Sequence, residues 1–320
     1  MTNETQTQEV VHSLAASPDF ARDGICFAAR PSGLYRSDDG GHTWQPAYAS
    51  LQLERPFPTA AVAVSPDFVS DRSLFAGVPG AVLRSGDRGV SWHVAALISP
   101  PPFVSTLAIS PNYAQDGTLF AGTMEDGVFR SADRGAHWVA WNFGLLDLNV
   151  LCLAVSPAYA GDETLFVGTD SGIFRSTTGG RAWREVDSGD RGQRSTDFAP
   201  VLSLAVSPQY AADGVVFAGT ESHGLCRSAD RGRTWAPLGE GAVSGAVNSV
   251  LLSPDFTDRP HILALLNDAL LVSRDGGQSW AEWRAGLTVD VAMTCVAAPL
   301  GLDPDAPLLV GLADGRVLRL

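Results

Sequence analysis

Residues 119–138 read LFAGTMEDGVFRSADRGAHW, and residues 216–235 read VFAGTESHGLCRSADRGRTW. Both stretches run from an apolar segment ending in Gly-Thr, through a polar turn, to a second apolar segment ending in Arg-Ser. Both then enter the pattern S-x-D-x-G-x-[TSH]-W. Working outward, the same landmarks recur along the whole chain, each unit beginning with an apolar run that closes on Ser-Pro. Those closures are Ser17-Pro18, Ser65-Pro66, Ser110-Pro111, Ser156-Pro157, Ser207-Pro208 and Ser253-Pro254, with Ala298-Pro299 as a weaker seventh. Successive prolines stand 48, 45, 46, 51, 46 and 45 residues apart. A period near 45 residues, with several short strands and turn residues in each unit, is what the blades of a propeller require.

Each unit parses as four strands: A is the Ser-Pro run, B the FAGT run, C the FRS run, and D begins near the Trp. Strand A carries larger side chains in one register, at Leu14, Val62, Leu107, Leu153, Leu204, Val250 and Cys295. The next position is small at Ala15, Ala63, Ala108, Ala154 and Ala205, then Leu251 and Val296. One large and one small face suit the innermost strand, where blades converge. No window between the turns sustains a 3.6-residue period, so helices are not expected. The expected fold is all-β: one seven-bladed propeller over residues 1–320, with four-stranded antiparallel blades near 10–50, 58–97, 104–142, 149–188, 201–238, 247–284 and 292–320. The D strand and its Trp occur only six times, and the last unit stops at Val317–Leu320. Residues 1–9 are therefore expected to supply the outer strand of the seventh blade, since an unpaired edge would otherwise be exposed. A six-bladed ring with an irregular cap is the alternative.

The S-x-D-x-G-x-[TSH]-W boxes are Ser37-Asp39-Gly41-Thr43-Trp44, Ser85-Asp87-Gly89-Ser91-Trp92, Ser131-Asp133-Gly135-His137-Trp138, Ser228-Asp230-Gly232-Thr234-Trp235 and Ser273-Asp275-Gly277-Ser279-Trp280. The fourth copy has Thr178 in place of the Asp, before Gly180 and Trp183. A carboxylate here can accept backbone N–H bonds inside a tight turn, Gly supplies a positive φ, and Trp buries a large apolar area. The pattern resembles the bacterial neuraminidase repeat, or Asp-box, of sialidases, sortilin-type receptors, family 74 glucanases and photosystem-assembly Ycf48 proteins. The resemblance covers nearly the whole chain and implies a propeller. It leaves the activity open, because the box recurs across unrelated functions.

Composition narrows the function classes. The apolar fraction is 45% against 18% charged residues, enough for a substantial core, and 33 Gly and 20 Pro suit many tight turns. A net charge of −13 without any Lys/Arg run argues against a nucleic-acid partner. Cys26, Cys152, Cys226 and Cys295 lack CxxC spacing and fall inside strands, so they read as buried thiols rather than disulfides or metal ligands. Neither metal nor cofactor is expected. The opening MTNETQTQEV lacks the basic-then-apolar run of a signal peptide, and no apolar stretch approaches membrane-spanning length. A cytoplasmic monomer without a membrane partner is the expectation.

Strand direction places the Asp-boxes, which are C–D turns, on one face of the disc, together with the A–B turns. Ligands of Asp-box propellers are expected at the other face, among the B–C and D–A loops. Sialidases bind a carboxylate through an arginine triad, but Arg36, Arg84, Arg130, Arg175, Arg227 and Arg319 repeat in one register and end strand C on the Asp-box side. They read as structural, paired with the recurring A–B carboxylates Asp23, Asp71, Asp116, Asp162 and Asp213. Tyr113, Tyr159 and Tyr210 share the position after Ser-Pro with Phe20, Phe68 and Phe256, so they read as core. The sequence shows neither an Arg-Ile-Pro motif nor a Tyr–Glu nucleophile pair.

Irregular residues are the functional candidates, because repetition does not explain them. B–C loops contribute Glu125, Asp126, Asp170, Glu221, His223, Asp268 and Asp314. D–A loops add Glu54, Arg55, Asp187, Asp190, Arg191, Arg194, Asp197 and Asp290. His12 and Asn248 stand near the entrance of the central channel. Two carboxylates across the opening could hydrolyse a glycoside at a suitable separation, while solvated loop acids are common on an acidic protein. Residues 48–59 (YASLQLERPFPT) and 96–104 are Pro- and aromatic-rich and are expected to form an apolar lip, and the longest loop lies around 186–200. Gly239-Glu240-Gly241 lacks the helix and Lys of a phosphate loop. The leading reading is a non-catalytic binding or scaffold propeller for a protein or glycan. A glycoside hydrolase using two acids is the first alternative, and a Ycf48-like assembly factor, expected to need an arginine patch, ranks last.

Overall fold

Strand A pairs antiparallel with B, B with C, and C with D, so each repeat closes its own small sheet before the chain moves on. The computed structural model describes residues 9–55, 57–97, 101–186, 200–239 and 241–320. The first sheet holds Ser13–Ala16, Cys26–Arg30, Gly33–Ser37 and Gln45–Pro46, and five further four-stranded sheets repeat its order. The seventh holds Met293–Ala297, Leu309–Leu312 and Val317–Arg319. Each A strand touches the A strands of its two neighbours, and Ser13–Ala16 touches Met293–Ala297. The ring therefore closes with seven blades, not six. The outer strand expected from residues 1–9 falls almost entirely outside the described residues. Closure nevertheless has direct contacts: the Val11 amide donates to the Leu312 carbonyl at 3.0 Å, and Thr294 Oγ1 donates to the Val11 carbonyl at 2.6 Å.

Three repeated contacts hold blade to blade. The first is aromatic. Phe27, Phe75, Phe120, Phe166 and Phe217 in strand B are fully buried. Each meets the post-Pro aromatic of the next blade edge-to-face: Phe68, Tyr113, Tyr159, Tyr210 and Phe256, with centroids 5.7–6.3 Å apart. Such pairs add about 0.5–1.5 kcal/mol beyond the area they bury. The second contact is the strand B glycine. A Cβ on Gly122 would come within 2.5 Å of Val150 in the next blade, and one on Gly219 within 2.6 Å of the Val247 carbonyl. The third is a set of side chains near the channel donating to the next blade's first A-strand carbonyl. Ser105 bonds Val150 at 2.5 Å, Cys152 bonds Val201 at 3.4 Å, Ser203 bonds Val247 at 3.0 Å and Asn248 bonds Met293 at 3.0 Å. The two registers of strand A divide the work, with Leu107 packing toward the preceding blade and Ala108 toward the following one.

Two expectations are corrected here. Single turns of α-helix do occur, at Phe20–Asp23, Phe68–Asp71, Tyr113–Asp116, Tyr159–Asp162 and Tyr210–Asp213. They are too short to show a 3.6-residue period, and a Ser–Asp bracket pins them. Ser17 Oγ donates to Asp23 Oδ2 at 2.7 Å, while Asp23 Oδ1 accepts the Ile25 amide at 3.0 Å, and the bracket recurs at Ser65–Asp71, Ser110–Asp116, Ser156–Asp162 and Ser207–Asp213. Those carboxylates are thereby occupied, so the expected pairing with the strand C arginines does not form. Three of the arginines instead clamp the neighbouring box, while Arg130 donates to Thr118 of its own blade. Arg36 Nη1 donates to the Arg88 carbonyl at 2.7 Å, Arg175 to Arg231 at 2.7 Å, and Arg319 to Gly40 at 3.2 Å.

The Asp-box is built as its residues require. Ser37 Oγ accepts the Gly41 amide and donates to Asp39 Oδ1, which accepts the His42 and Thr43 amides at 3.0 and 2.9 Å. Gly41 holds φ 90°. Bonds from the Thr43 hydroxyl and amide pull the Asp39 carboxyl far below its ordinary value, and Ser279 acts likewise on Asp275, which lies at about 2. Thr178 preserves part of this network, its Oγ1 accepting the Ala182 amide at 3.0 Å. The box tryptophans Trp92, Trp138, Trp183 and Trp235 are buried, whereas Trp44 and Trp280 are half-buried. Trp92 and Trp183 donate Nε1 back to carbonyls of the preceding blade, Ala47 and Trp141. All four cysteines are free, and burial pushes their thiols up to about 12.

Candidate functional site

Strand A turns its backbone toward the axis, and in five blades an extra residue bulges from its first turn. A bulge re-aims a side chain without lengthening the pairing. The axis encloses about 280 Å³, lined by His12, Ser13, Ser105, Thr106, Cys152, Ser203 and Asn248 among others. His12 and Asn248 thus share the channel wall. Desolvation by the surrounding wall holds His12 below the usual histidine value, which favours a neutral imidazole. Asn248 is committed to structure through Asn267 Oδ1 at 2.8 Å and the Met293 carbonyl.

The B–C and D–A loops ring this opening, and the acids separate into groups instead of converging on one point. Between the third and fourth blades, the Glu125 amide donates to Asn149 Oδ1 at 2.9 Å and Asn149 Nδ2 donates to Asp170 at 2.9 Å. Asp126 contributes its carbonyl to Asn142. Asp147, which the sequence did not single out, accepts the Asn149 and Ser171 amides at 3.0 and 2.8 Å. Partial desolvation opposes ionisation there, but these N–H donors prevail and lower its value. On the seventh blade Arg316 bridges Asp290 at 2.8 Å and Asp314 at 2.6 Å. Glu221 is exposed and fixed by its amide to the Pro200 carbonyl, His223 lies beside Ser222, and Asp268 stands exposed after Asn267. Asp187, Asp190, Arg191, Arg194 and Asp197 lie outside the described residues, as do Pro56, residues 98–100 and Glu240. No cluster of three or more metal-ligating side chains forms among the described residues.

Two apolar features occupy the same face. Tyr48, Leu53 and Phe57 help line a hollow of about 370 Å³ that also takes in Glu54 and Arg55. The more exposed feature is a loop the sequence reading passed over, WNFGLLDLNV at 141–150. Phe143 is 81% exposed and Leu146 79%, while Leu145 between them is buried in the core. The backbone is held throughout. The Trp183 amide donates to the Phe143 carbonyl, the Gly127 amide donates to the Leu148 carbonyl, and the Asn142 side chain brackets Val128 and Asp126. The missed signal was the alternation of buried Leu145 with three apolar neighbours, a pattern that proline content does not mark.

A sequence profile described as BNR/Asp-box repeat matches residues 35–46, the first box with its strand C. The fold is a seven-bladed propeller that carries a BNR/Asp-box repeat. No curated protein matches the sequence closely enough to count as a relative. Among solved structures, the family 74 xyloglucanase of Xanthomonas campestris is similar at 20% identity and TM-score 0.72, covering 96% of this chain and 51% of that one. This Asp-box propeller thus spans about half the length of that enzyme. A Ycf48 protein solved with a D1 peptide bound is similar at 17% identity and TM-score 0.70, covering 98% of this chain and 94% of that one. The extracellular domain of a putative one-component system from B. thetaiotaomicron is similar at 15% identity and TM-score 0.70, covering 98% and 38%. At these identities the likeness is one of fold.

Proposed function

We propose that this propeller is a non-catalytic binding module that takes a protein segment on its B–C/D–A face. The observation that carries the reading is the 141–149 loop, where Phe143 and Leu146 stand in solvent on a backbone already fixed by hydrogen bonds. Large exposed apolar side chains on a pinned loop are what a binding anchor needs, since little freedom is lost when the partner arrives. Glu125, Asp126 and Asp170 are tied to this loop through Asn142 and Asn149, and Asp147 lies within it. A partner segment with apolar side chains flanked by Lys or Arg therefore fits the charge. The Ycf48 neighbour, matched along nearly its whole length and solved with a peptide bound, supports peptide capture as a use of this scaffold.

The hydrolase reading has less support on this face. Among the described residues of this face, the carboxylates whose protonation is shifted, Asp147, Asp290 and Asp314, are all shifted downward. That keeps them ionised, whereas a general acid needs the opposite shift. The test is photocrosslinking in native lysate from a probe at Leu146, compared with one at Val69 on the Asp-box side. A discrete adduct from position 146 alone, lost with Phe143→Ser, is expected. Adducts of equal yield from both positions would overturn the assignment of the face.

A further inference from the structure

The fourth repeat breaks the pattern at two positions, and both breaks line one cavity. Its box has Thr178 where the other five carry Asp. Its strand D begins with Arg184, which pairs directly across from Arg175 of strand C. In the other D strands the residue opposite that register is Gln45, His93, Val139, Ala236 or Ala281. Like charges directly opposite on neighbouring strands destabilise a sheet unless something neutralises them. The cavity encloses about 470 Å³ and is lined by Arg175, Thr177, Thr178, Arg184, Glu185 and, from the next blade's box, Arg233. Among the described lining residues, three arginines against one glutamate make +2 in a chain of net charge −13. Arg175 spends Nη1 on the Arg231 carbonyl, and neither Arg184 nor Arg233 has an ion pair among the described residues.

We infer that this cavity between the fourth and fifth blades, on the Asp-box side, is an oxyanion site for a phosphomonoester. Planar guanidinium forks match the oxygens of a phosphate, and the Thr177 hydroxyl adds a neutral donor. The absent box carboxylate is part of the design, because an Asp at position 178 would put a negative charge into the same space. The volume exceeds what a bare ion fills and falls in the range of small-molecule pockets, so the phosphate is carried on a small organic body. The site lies on the face opposite the proposed protein-binding loop and stands independently of it.

Titration calorimetry at low ionic strength tests this with ribose 5-phosphate, inorganic phosphate and ribose as probes. Saturable binding of ribose 5-phosphate is expected, weakened at least about tenfold by Arg184→Ala or Arg233→Ala. Thr178→Asp should abolish binding while leaving the melting temperature equal or higher, because it restores the box carboxylate. Arg284→Ala, which removes a charge elsewhere, should leave affinity unchanged. Inorganic phosphate binding as tightly as the ester would identify the free ion as the ligand and keep the oxyanion site. Failure of either phosphate to bind saturably, retained binding in Thr178→Asp, or an equal loss in Arg284→Ala would overturn the inference.

Discussion

Replacing Gly219 by alanine adds one methyl group where two blades meet. The new Cβ would lie 2.3 Å from Ser203 Oγ, 2.6 Å from the Val247 carbonyl oxygen and 2.7 Å from Val247 Cγ1. The carbonyl belongs to the backbone of the next blade, so relief requires the blades to separate, not a rotamer change. Overpacking of this kind costs about 1–3 kcal/mol. Gly219 lies in the strand Val216–Thr220 without a positive φ, so alanine recovers roughly 0.4–1 kcal/mol by restricting the unfolded chain. The net loss is about 0–2.6 kcal/mol, or a fall of up to about 10 °C at roughly 2–4 °C per kcal/mol for a larger domain. Gly86 is the internal control, since a Cβ there meets nothing within 4 Å. Gly86→Ala keeps only the unfolded-state term and should raise the melting temperature by about 1–4 °C. Scanning calorimetry of the two variants decides the matter. Equal shifts of the same sign would show that the strand B glycine does not serve blade approach, and the account of the junction would fail.

Three further outcomes follow from the same contacts. Thr294→Val removes the hydroxyl that bonds the Val11 carbonyl where first and seventh blades meet, and should cost about 1 kcal/mol in urea denaturation; an unchanged midpoint would remove this bond from the closure. A double-mutant cycle of Phe120→Leu and Tyr159→Leu should return a coupling of about 0.5–1.5 kcal/mol, whereas additive losses would mean the rings do not interact. The box carboxylates Asp39, Asp87, Asp133, Asp230 and Asp275 all lie below their ordinary value in the folded chain. Their stabilisation is therefore complete above the unfolded value near 4 and is lost as pH falls toward about 2. A melting temperature that stays flat across that window would contradict the bonding described for the boxes.

Local chemistry made the fold readable. Ser-Pro closures, the FAGT strands and the Asp-boxes each specify their own turn or strand through residues a few positions apart, and Asp39 bonding Ser37, His42 and Thr43 is such a case. What sequence did not show depends on neighbouring blades, about 45 residues away along the chain. The strand C arginines looked like partners for the A–B carboxylates because both repeat on one side. Only the structure reveals that Ser17 and its equivalents already occupy those carboxylates and that Arg36 reaches across to Arg88. The Phe120–Tyr159 contact and the Gly219–Val247 approach are likewise inter-blade. On the candidate face, Glu54, Arg55, Glu125, Asp126, Asp170, Glu221, His223, Asp268 and Asp314 were legible as residues that break the repeat. Their separation into groups was not, since it is set by Asn149 and Asp147 on one side and Arg316 on the other. Phe143 and Leu146 escaped notice because a short apolar run beside a strand reads as core until the backbone turns it outward.

The central claim is that the B–C/D–A face binds without turning over a substrate. A panel of chromogenic glycosides, incubated with the purified chain and with Glu125→Gln and Glu221→Gln, tests it most directly. The account predicts release at the protein-free rate for all three proteins. Release by the unmodified chain that either substitution abolishes would contradict it, and would make this face an active site.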